Sequence, residues 1–294
     1  MRVSINHIGW KRVLIIQLPY IIFVGIFQFI GSLIANVDLT NIESFRTPQQ
    51  DFILSLSTLI GTVLIIWYFT KNEKESKSFT DGFRIKNRLS DIIMGLSIGI
   101  LIISLGYLIL ILINEITFEN IRFDLSKLLF TILTFISVAI VEEIFLRGYV
   151  LRNLMISFNK YVALLLSSVL FAIIHGFNPN IDLFSLTNIF IAGFLLGITY
   201  IYTKNLWFPI ALHFSWNLMQ AILGFNVSGN RTFSIVEFSI KENNRLNGGD
   251  FGFEGSILSM GFQIFFIIII VLYYKRKTKY NNAQNHAECY DIIK

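Results

Sequence analysis

Apolar residues run along this chain in long unbroken blocks, neither alternating nor striped. Eight blocks are readable, at about 13–36, 51–70, 91–114, 126–153, 161–176, 184–203, 206–224 and 257–274. A block of about 20 apolar residues is the length of helix that crosses the bilayer core. The pattern predicts an all-α fold: a polytopic transmembrane helical bundle of about eight spans around a polar intramembrane cavity. Continuous runs do not describe a β-barrel, whose strands alternate. The first block is too long for a signal-peptide core and reads as a retained anchor. Between the blocks, Lys71–Asp91 reads as a solvated charged connection, and Asn226–Ser256 as an external loop rich in Asn and Gly. Within that loop Thr232–Lys241 alternates like a short hairpin. Tyr280–Lys294 reads as a disordered tail. Gly193-x-x-x-Gly197 in the sixth block is a spacing that lets helices approach closely.

Charge then sets an orientation. Lys and Arg collect on the cytoplasmic side of membrane proteins. With the N-terminus inside, the inner segments hold Arg2, Lys11 and Arg12; Lys71, Lys74, Lys77, Arg84, Lys86 and Arg88; Arg152 and Lys160; Lys204; and Lys275, Arg276, Lys277, Lys279 and Lys294. The outer segments hold only Arg46, Arg122, Lys127, Arg231, Lys241 and Arg245. This bias predicts an even number of spans with both termini cytoplasmic. The chain of 294 residues is 54% hydrophobic, and its net charge of +5 arises from residues flanking the blocks, so it points to lipid and away from nucleic acid. The single cysteine, Cys289, permits no internal disulfide.

Against this background Val141-Glu142-Glu143-Ile144-Phe145-Leu146-Arg147-Gly148 is conspicuous. A charge at the centre of a bilayer costs about 2.5–3.5 kcal/mol on insertion scales, and intramembrane ionisable groups mark functional sites. Glu143 and Arg147 are i and i+4, so they share a face and can pair. Glu142 lies about 100° away round the helix and is left to face a cavity, which makes it the better candidate for a base. The bland alternative is a structural salt bridge between helices. Two of the four histidines, His175 and His213, also lie in apolar blocks, whereas His7 and His286 lie outside them. His213 and Asn217 are i and i+4 and point the same way. A converging carboxylate and histidine can hold a water and take its proton. A second histidine and an amide can donate to the oxyanion formed when that water attacks a peptide bond. No serine has a triad pattern beside it. Glu142, His175 and His213 could instead bind Zn²⁺, which takes three protein ligands and a water. The chain has no His-Glu-x-x-His to strengthen that reading.

Three motifs in order, Glu142-Glu143-x-x-x-Arg147, Phe171-x-x-x-His175 and His213-x-x-x-Asn217, resemble those of the CPBP family. These are the CAAX protease and bacteriocin-processing (Abi) intramembrane proteases. The resemblance covers 126–224 as a core, flanked by 1–125 with the first spans and by 225–294 with the external loop, last span and tail. It implies an intramembrane endopeptidase of a multi-pass protein in a bacterial plasma membrane, acting on peptide or membrane-protein substrates. In it Glu142 would be the general base, His175 would position the water, and His213 and Asn217 would form the oxyanion site. Glu143 and Arg147 would brace the helix. Members are widely labelled metalloproteases, so zinc is an open alternative, but Glu and His suffice to activate water and no cofactor is required on the preferred reading. The rival function is a non-catalytic scaffold, such as a bacteriocin-immunity or regulatory protein, using the same polar core. A proton-linked transporter fits less well, since no repeated halves are visible. The expected route for substrate is from the cytoplasm or laterally from lipid.

One expectation carries a tension. From their cytoplasmic ends, Glu142 would lie about 15 Å deep and His213 about 13 Å, but His175 about 22 Å, at 1.5 Å per residue. The three must nevertheless meet within one water of each other for the chemistry to work.

Overall fold

The computed structural model describes residues 7–38, 46–71, 73 and 76–292, with side chains for all of these except 76–78 and 278–292. Arg2, Lys74 and Lys294 lie outside the described residues, as do the side chains of Lys77, Lys279, His286 and Cys289.

The apolar blocks fold as helices, and polar residues at their edges start them. Helix α1 is Ile8–Ile34 and α2 is Pro48–Thr70. The Thr47 hydroxyl accepts from the Gln50 amide while the Gln50 side chain accepts from the Thr47 amide, a reciprocal cap with Pro48 at the first helical position. After the short α3 (Ser76–Asp81) come α4 (Leu89–Leu112) and strand β1 (Ile116–Ile121). Helix α5 (Leu125–Glu143) starts on the Asp124 carboxylate and continues without a break through a π-helical stretch, Ile144–Leu151, into α6 (Arg152–Ser157). Helix α7 (Lys160–His175) starts on Asn159, and α8 (Leu183–Ile198) on Asp182. The short α9 (Tyr200–Thr203) leads to α10 (Trp207–Ile222), strand β2 (Val236–Ile240) and α11 (Ile257–Ile292).

Six helical stretches among the described residues are long and apolar enough to cross a membrane: Ile8–Ile34, Pro48–Thr70, Leu89–Leu112, Leu125–Ser157, Leu183–Thr203 and Ile257–Lys277. Their outer surfaces explain the composition. Leu14, Leu18 and Ile21 of α1 are each more than 60% exposed, a surface that suits lipid. The two other expected spans are α7 and α10. At 16 residues each they are about 24 Å long, short of the roughly 30 Å hydrocarbon core.

Helix α10 lies inside the bundle, with Phe208–His213 and Ser215–Asn217 buried. Glycines let α4 reach it. A Cβ on Gly95 would lie 2.6 Å from the Phe208 carbonyl oxygen, and one on Gly99 would lie 2.1 Å from the Ser215 hydroxyl. The Gly193–Gly197 spacing serves α8 against α7 in the same way. A Cβ on Gly193 would lie 3.0 Å from the Ser168 Cα, and one on Gly197 would lie 2.5 Å from a Leu164 methyl.

Three sequence expectations are corrected in whole or in part. The alternating residues at 232–241 do not form a hairpin. Strand β2 pairs antiparallel with β1, from Ile116 opposite Ile240 to Ile121 opposite Val236, with a bulge between Phe118 and Asn120. Alternation marks a strand but not its partner. The Lys71–Asp91 connection is exposed over Arg84–Asn87, as expected of a solvated segment, but it also docks on the bundle. Glu73 is buried in contact with Arg152 and Arg12. The Gly82 carbonyl accepts from the Leu206 amide, the Arg84 carbonyl from Asn205, and the Phe83 carbonyl from the Trp207 indole. Finally, α11 runs helical through 280–292, where a disordered tail was expected.

Candidate active site

Glu143 and Arg147 form the expected pair. Arg147 Nη1 donates to Glu143 Oε1 at 2.8 Å, and both side chains are almost completely buried. The guanidinium also donates to the Gly193 carbonyl of α8 at 3.1 Å and lies over the Phe171 ring of α7, 4.8 Å from its centroid. The pair therefore ties α5 to two other helices. The π-helical turn begins directly after Glu143. Such bulges widen a helix locally and recur at functional sites.

Glu143 makes a second contact that the spacing did not predict. His213 Nδ1 lies 2.9 Å from the same Oε1. A histidine whose Nδ1–H is held by a carboxylate presents Nε2 in a fixed direction. His213 is thus aimed by the residue that also neutralises Arg147. His175 is aimed differently: its Nδ1 lies 2.8 Å from the Phe171 carbonyl one turn back. That geometry makes Nδ1 the donor and leaves Nε2 open.

Both open nitrogens face Glu142. Its Oε2 lies 3.7 Å from His175 Nε2 and 3.9 Å from His213 Nε2. That oxygen is buried and accepts no hydrogen bond from the described residues, and the Glu142 side chain is only 25% exposed. The three groups come within one water of each other, so the difference in depth expected from helix rise is removed. His175 is the last residue of the short α7, and Glu142 is reached at the level where that helix ends.

Two cavities adjoin the trio. The larger, of about 450 Å³, is lined by Glu142, His175, His213 and Asn217 and by Tyr20 of α1, Val138 of α5 and Phe145 of the π-helical stretch. It extends to Arg46 and Asp51 at the start of α2, to Asn178 after α7, and to Ser228 and Asn230–Thr232. The smaller, of about 20 Å³, is lined by Phe171, His175, His213, Asn217, Ser228 and Glu254. That is room for about one water. Asn217, one turn beyond His213, lines both cavities.

The donor set can be tested against zinc. A tetrahedral ion with ligands at 2.0–2.1 Å requires donor atoms about 3.3 Å apart. The separations of 3.7 and 3.9 Å are wider. Among the described residues no group of three or more His, Cys, Asp or Glu is placed to hold a metal ion. To hold zinc the three side chains would have to close by about half an ångström.

Sequence reasoning missed the contribution of the 226–256 loop. Glu254 is buried beside the site and accepts from the Trp216 indole at 2.9 Å and from Ser228. It lies in Phe253-Glu254-Gly255, a polar segment without helical period, so no pattern marks it. Tyr20 was also missed. It stacks on Phe145 with centroids 3.8 Å apart and its hydroxyl bonds Thr62 at 3.0 Å. A tyrosine and a threonine inside two apolar blocks were the available signal.

No curated protein and no solved structure matches the chain. Residues 124–219 match the family model Rce1-like, described as type II CAAX prenyl endopeptidase Rce1-like. Those residues carry all three motifs, and over that stretch the resemblance to the CPBP intramembrane proteases holds.

Proposed function

We propose that the chain is an intramembrane endopeptidase in which Glu142, His175, His213 and Asn217 hydrolyse a peptide bond through activated water, without a covalent intermediate. The observation that carries this reading is the buried Glu142 oxygen, which accepts no hydrogen bond from the described residues and lies 3.7 Å and 3.9 Å from two histidine nitrogens at the wall of a cavity of about 450 Å³. A water between Glu142 and His175 Nε2 gives its proton to Glu142 as its oxygen attacks the carbonyl carbon. The oxyanion is met by the Asn217 amide and by Nε2 of His213 when that ring is protonated. Collapse breaks the C–N bond, and the proton held by Glu142 passes to the leaving amine. Glu143 and Arg147 do no bond chemistry here. They hold His213 and α5 in register.

The mechanism proposed is metal-free. Activity of the purified protein should survive EDTA and 1,10-phenanthroline. Loss of activity that added Zn²⁺ restores would overturn it. With both termini cytoplasmic, as the Lys and Arg distribution indicates, the cavity residues Arg46, Asp51, Ser228 and Asn230–Thr232 lie on the opposite face. The peptide then enters from the extracytoplasmic side or laterally. Of the two routes the sequence suggests, cytoplasmic and lateral, this keeps only the lateral one, because His175 meets Glu142 at the far end of α7. The reading is tested with the full chain in detergent micelles and a panel of quenched fluorogenic peptides, a prenylated C-terminal peptide among them. Glu142→Gln should lower cleavage by about 10²–10⁴-fold, the contribution of a positioned base. Unchanged cleavage would return the protein to the scaffold reading.

A further inference from the structure

Glu254 is a buried carboxylate at the site for which the chemistry above has no use. It is 5% exposed and comes from a short 3₁₀ turn, Phe253–Gly255. Its two oxygens take three hydrogen bonds. Oε1 accepts from Trp216 Nε1 at 2.9 Å, and Oε2 accepts from the Ser228 amide at 2.9 Å and the Ser228 hydroxyl at 2.6 Å. Trp216 precedes Asn217 on α10, so one carboxylate joins the helix that carries His213 and Asn217 to a loop on the other side of the small chamber.

What it joins is a strained turn. Val227 and Asn230 exchange two backbone hydrogen bonds, each of 2.9 Å. The two residues between them have φ of +49° (Ser228) and +82° (Gly229), the left-handed pattern of a two-residue hairpin turn. Gly229 suits that conformation. A Cβ there would also lie 1.9 Å from the Pro179 carbonyl oxygen. Ser228 does not suit it, since a left-handed residue other than glycine is disfavoured and persists where its surroundings over-determine it. The surroundings here are Glu254 on the amide and hydroxyl, and Asn178 Nδ2 on the Ser228 carbonyl at 3.1 Å. Ser228 lines both the chamber and the substrate-sized cavity. The strain is therefore held at the cavity wall.

We infer that Glu254 is a positioning residue for substrate: it clamps the 227–230 turn opposite His213 and Asn217, so that Ser228 forms a fixed wall against which the peptide is laid. The inference rests on the protease reading above. Its role is in binding, not in proton transfer. Loosening the clamp therefore lowers affinity for the peptide while leaving the rate from the bound state nearly intact.

The test uses Glu254→Gln, which keeps the shape. A glutamine amide accepts through one oxygen and turns its NH₂ toward a donor, so the Trp216 indole or Ser228 loses its partner. In micelles with the quenched peptide cleaved best by the unaltered chain, KM should rise about tenfold, the loss of one hydrogen bond to a charged group, with kcat changed less than about threefold. Deuterium exchange at the amides of 226–231 should accelerate. Ser228→Gly, which suits the positive φ and retains the amide, should raise KM by itself. Adding it to Glu254→Gln should raise KM little further. A purely structural role predicts instead a lower melting temperature and a fall in kcat per milligram at unchanged KM. That result, or unchanged exchange at 226–231, would overturn the inference. If the unaltered chain cleaves no peptide while Glu254→Gln still accelerates exchange, the clamp stands and the protease reading is what has failed.

Discussion

Glu142 and Glu143 are adjacent in sequence, yet replacing each by glutamine should have opposite consequences. Glu142 Oε2 accepts no hydrogen bond from the described residues. Glu142→Gln therefore breaks no bond and removes one costly intramembrane charge, so stability should change by less than about 0.5–1 kcal/mol. Glu143 Oε1 holds Arg147 Nη1 at 2.8 Å and His213 Nδ1 at 2.9 Å in full burial. Removing one partner of a buried ion pair leaves an uncompensated charge and costs about 3–5 kcal/mol. A glutamine oxygen would still accept from one donor, so the lower half of that range is expected. A kcal/mol shifts the melting temperature of a domain of this size by about 2–4 °C, so Glu143→Gln should lose roughly 6–16 °C. The assay is thermal unfolding of both variants in the same detergent, with cleavage measured per folded molecule. Glu142→Gln should unfold like the parent and be inactive. Glu143→Gln should unfold early and retain partial activity, since His213 loses its orienting carboxylate but the base remains. A double replacement, Glu143→Gln with Arg147→Met, should regain much of the stability, because removing both members of a buried pair is often neutral. It should not regain activity. Equal melting temperatures for the two single variants would refute the division of labour between these carboxylates.

Other expectations follow from the packing and the topology. Asn230→Cys should react with a membrane-impermeant maleimide applied from the extracytoplasmic side, and labelling only after the membrane is permeabilised would reverse the proposed route of substrate entry. Gly99→Ala places a Cβ 2.1 Å from the Ser215 hydroxyl, so α4 must shift away from α10 at a cost of about 1–3 kcal/mol, visible as a lower melting temperature. The Asp182 carboxyl is raised by burial but more strongly lowered by the Ser185 amide and by Arg245, so its pKa lies below its ordinary value. A carboxyl with a depressed folded pKa stabilises above its unfolded value, and that contribution is lost as pH falls through the folded one. Asp182→Asn should therefore flatten the acid limb of the stability profile below about pH 4. The effect is small, because the side chain is 43% exposed.

The helices and the membrane class were legible because they depend on run length, and run length survives any tertiary arrangement. The site residues were legible for a related reason. Carboxylates, histidines and an asparagine inside apolar blocks are costly, so their positions alone report that something must meet them. Which atoms meet was not legible. Periodicity placed Glu143 with Arg147, but the third member, His213, comes from a helix 70 residues on. That contact depends on how α10 sits in the bundle, and α10 sits there because Gly95 and Gly99 lack side chains. The depth of the site was misjudged for a similar reason. Counting residues from the basic ends assumes that each helix crosses the whole bilayer, whereas α7 has 16 residues and spans only about 24 Å.

The polar segments show a different limit. Lys71–Asp91 and Asn226–Ser256 carry no period, and lack of period was read as exposure. Much of each segment is exposed, but both also dock at single points: Gly82, Phe83 and Arg84 through their carbonyls against the start of α10, and the buried Glu254 against Trp216 on the same helix. Helix α10 is thus held by irregular chain at its start and again at Trp216; His213 lies between these contacts and Asn217 directly follows the second. A helix of 16 residues is too short to be fixed by the bilayer at both ends. Its register must come from protein contacts, and irregular segments can supply these inside a membrane protein only where their backbone groups are satisfied internally. The loops that looked least informative in the sequence therefore set the position of two of the four proposed catalytic groups. Substitutions at Asn205 or Glu254, remote from the Glu-Glu-x-x-x-Arg motif, should disturb the site more than substitutions on the lipid face of α1.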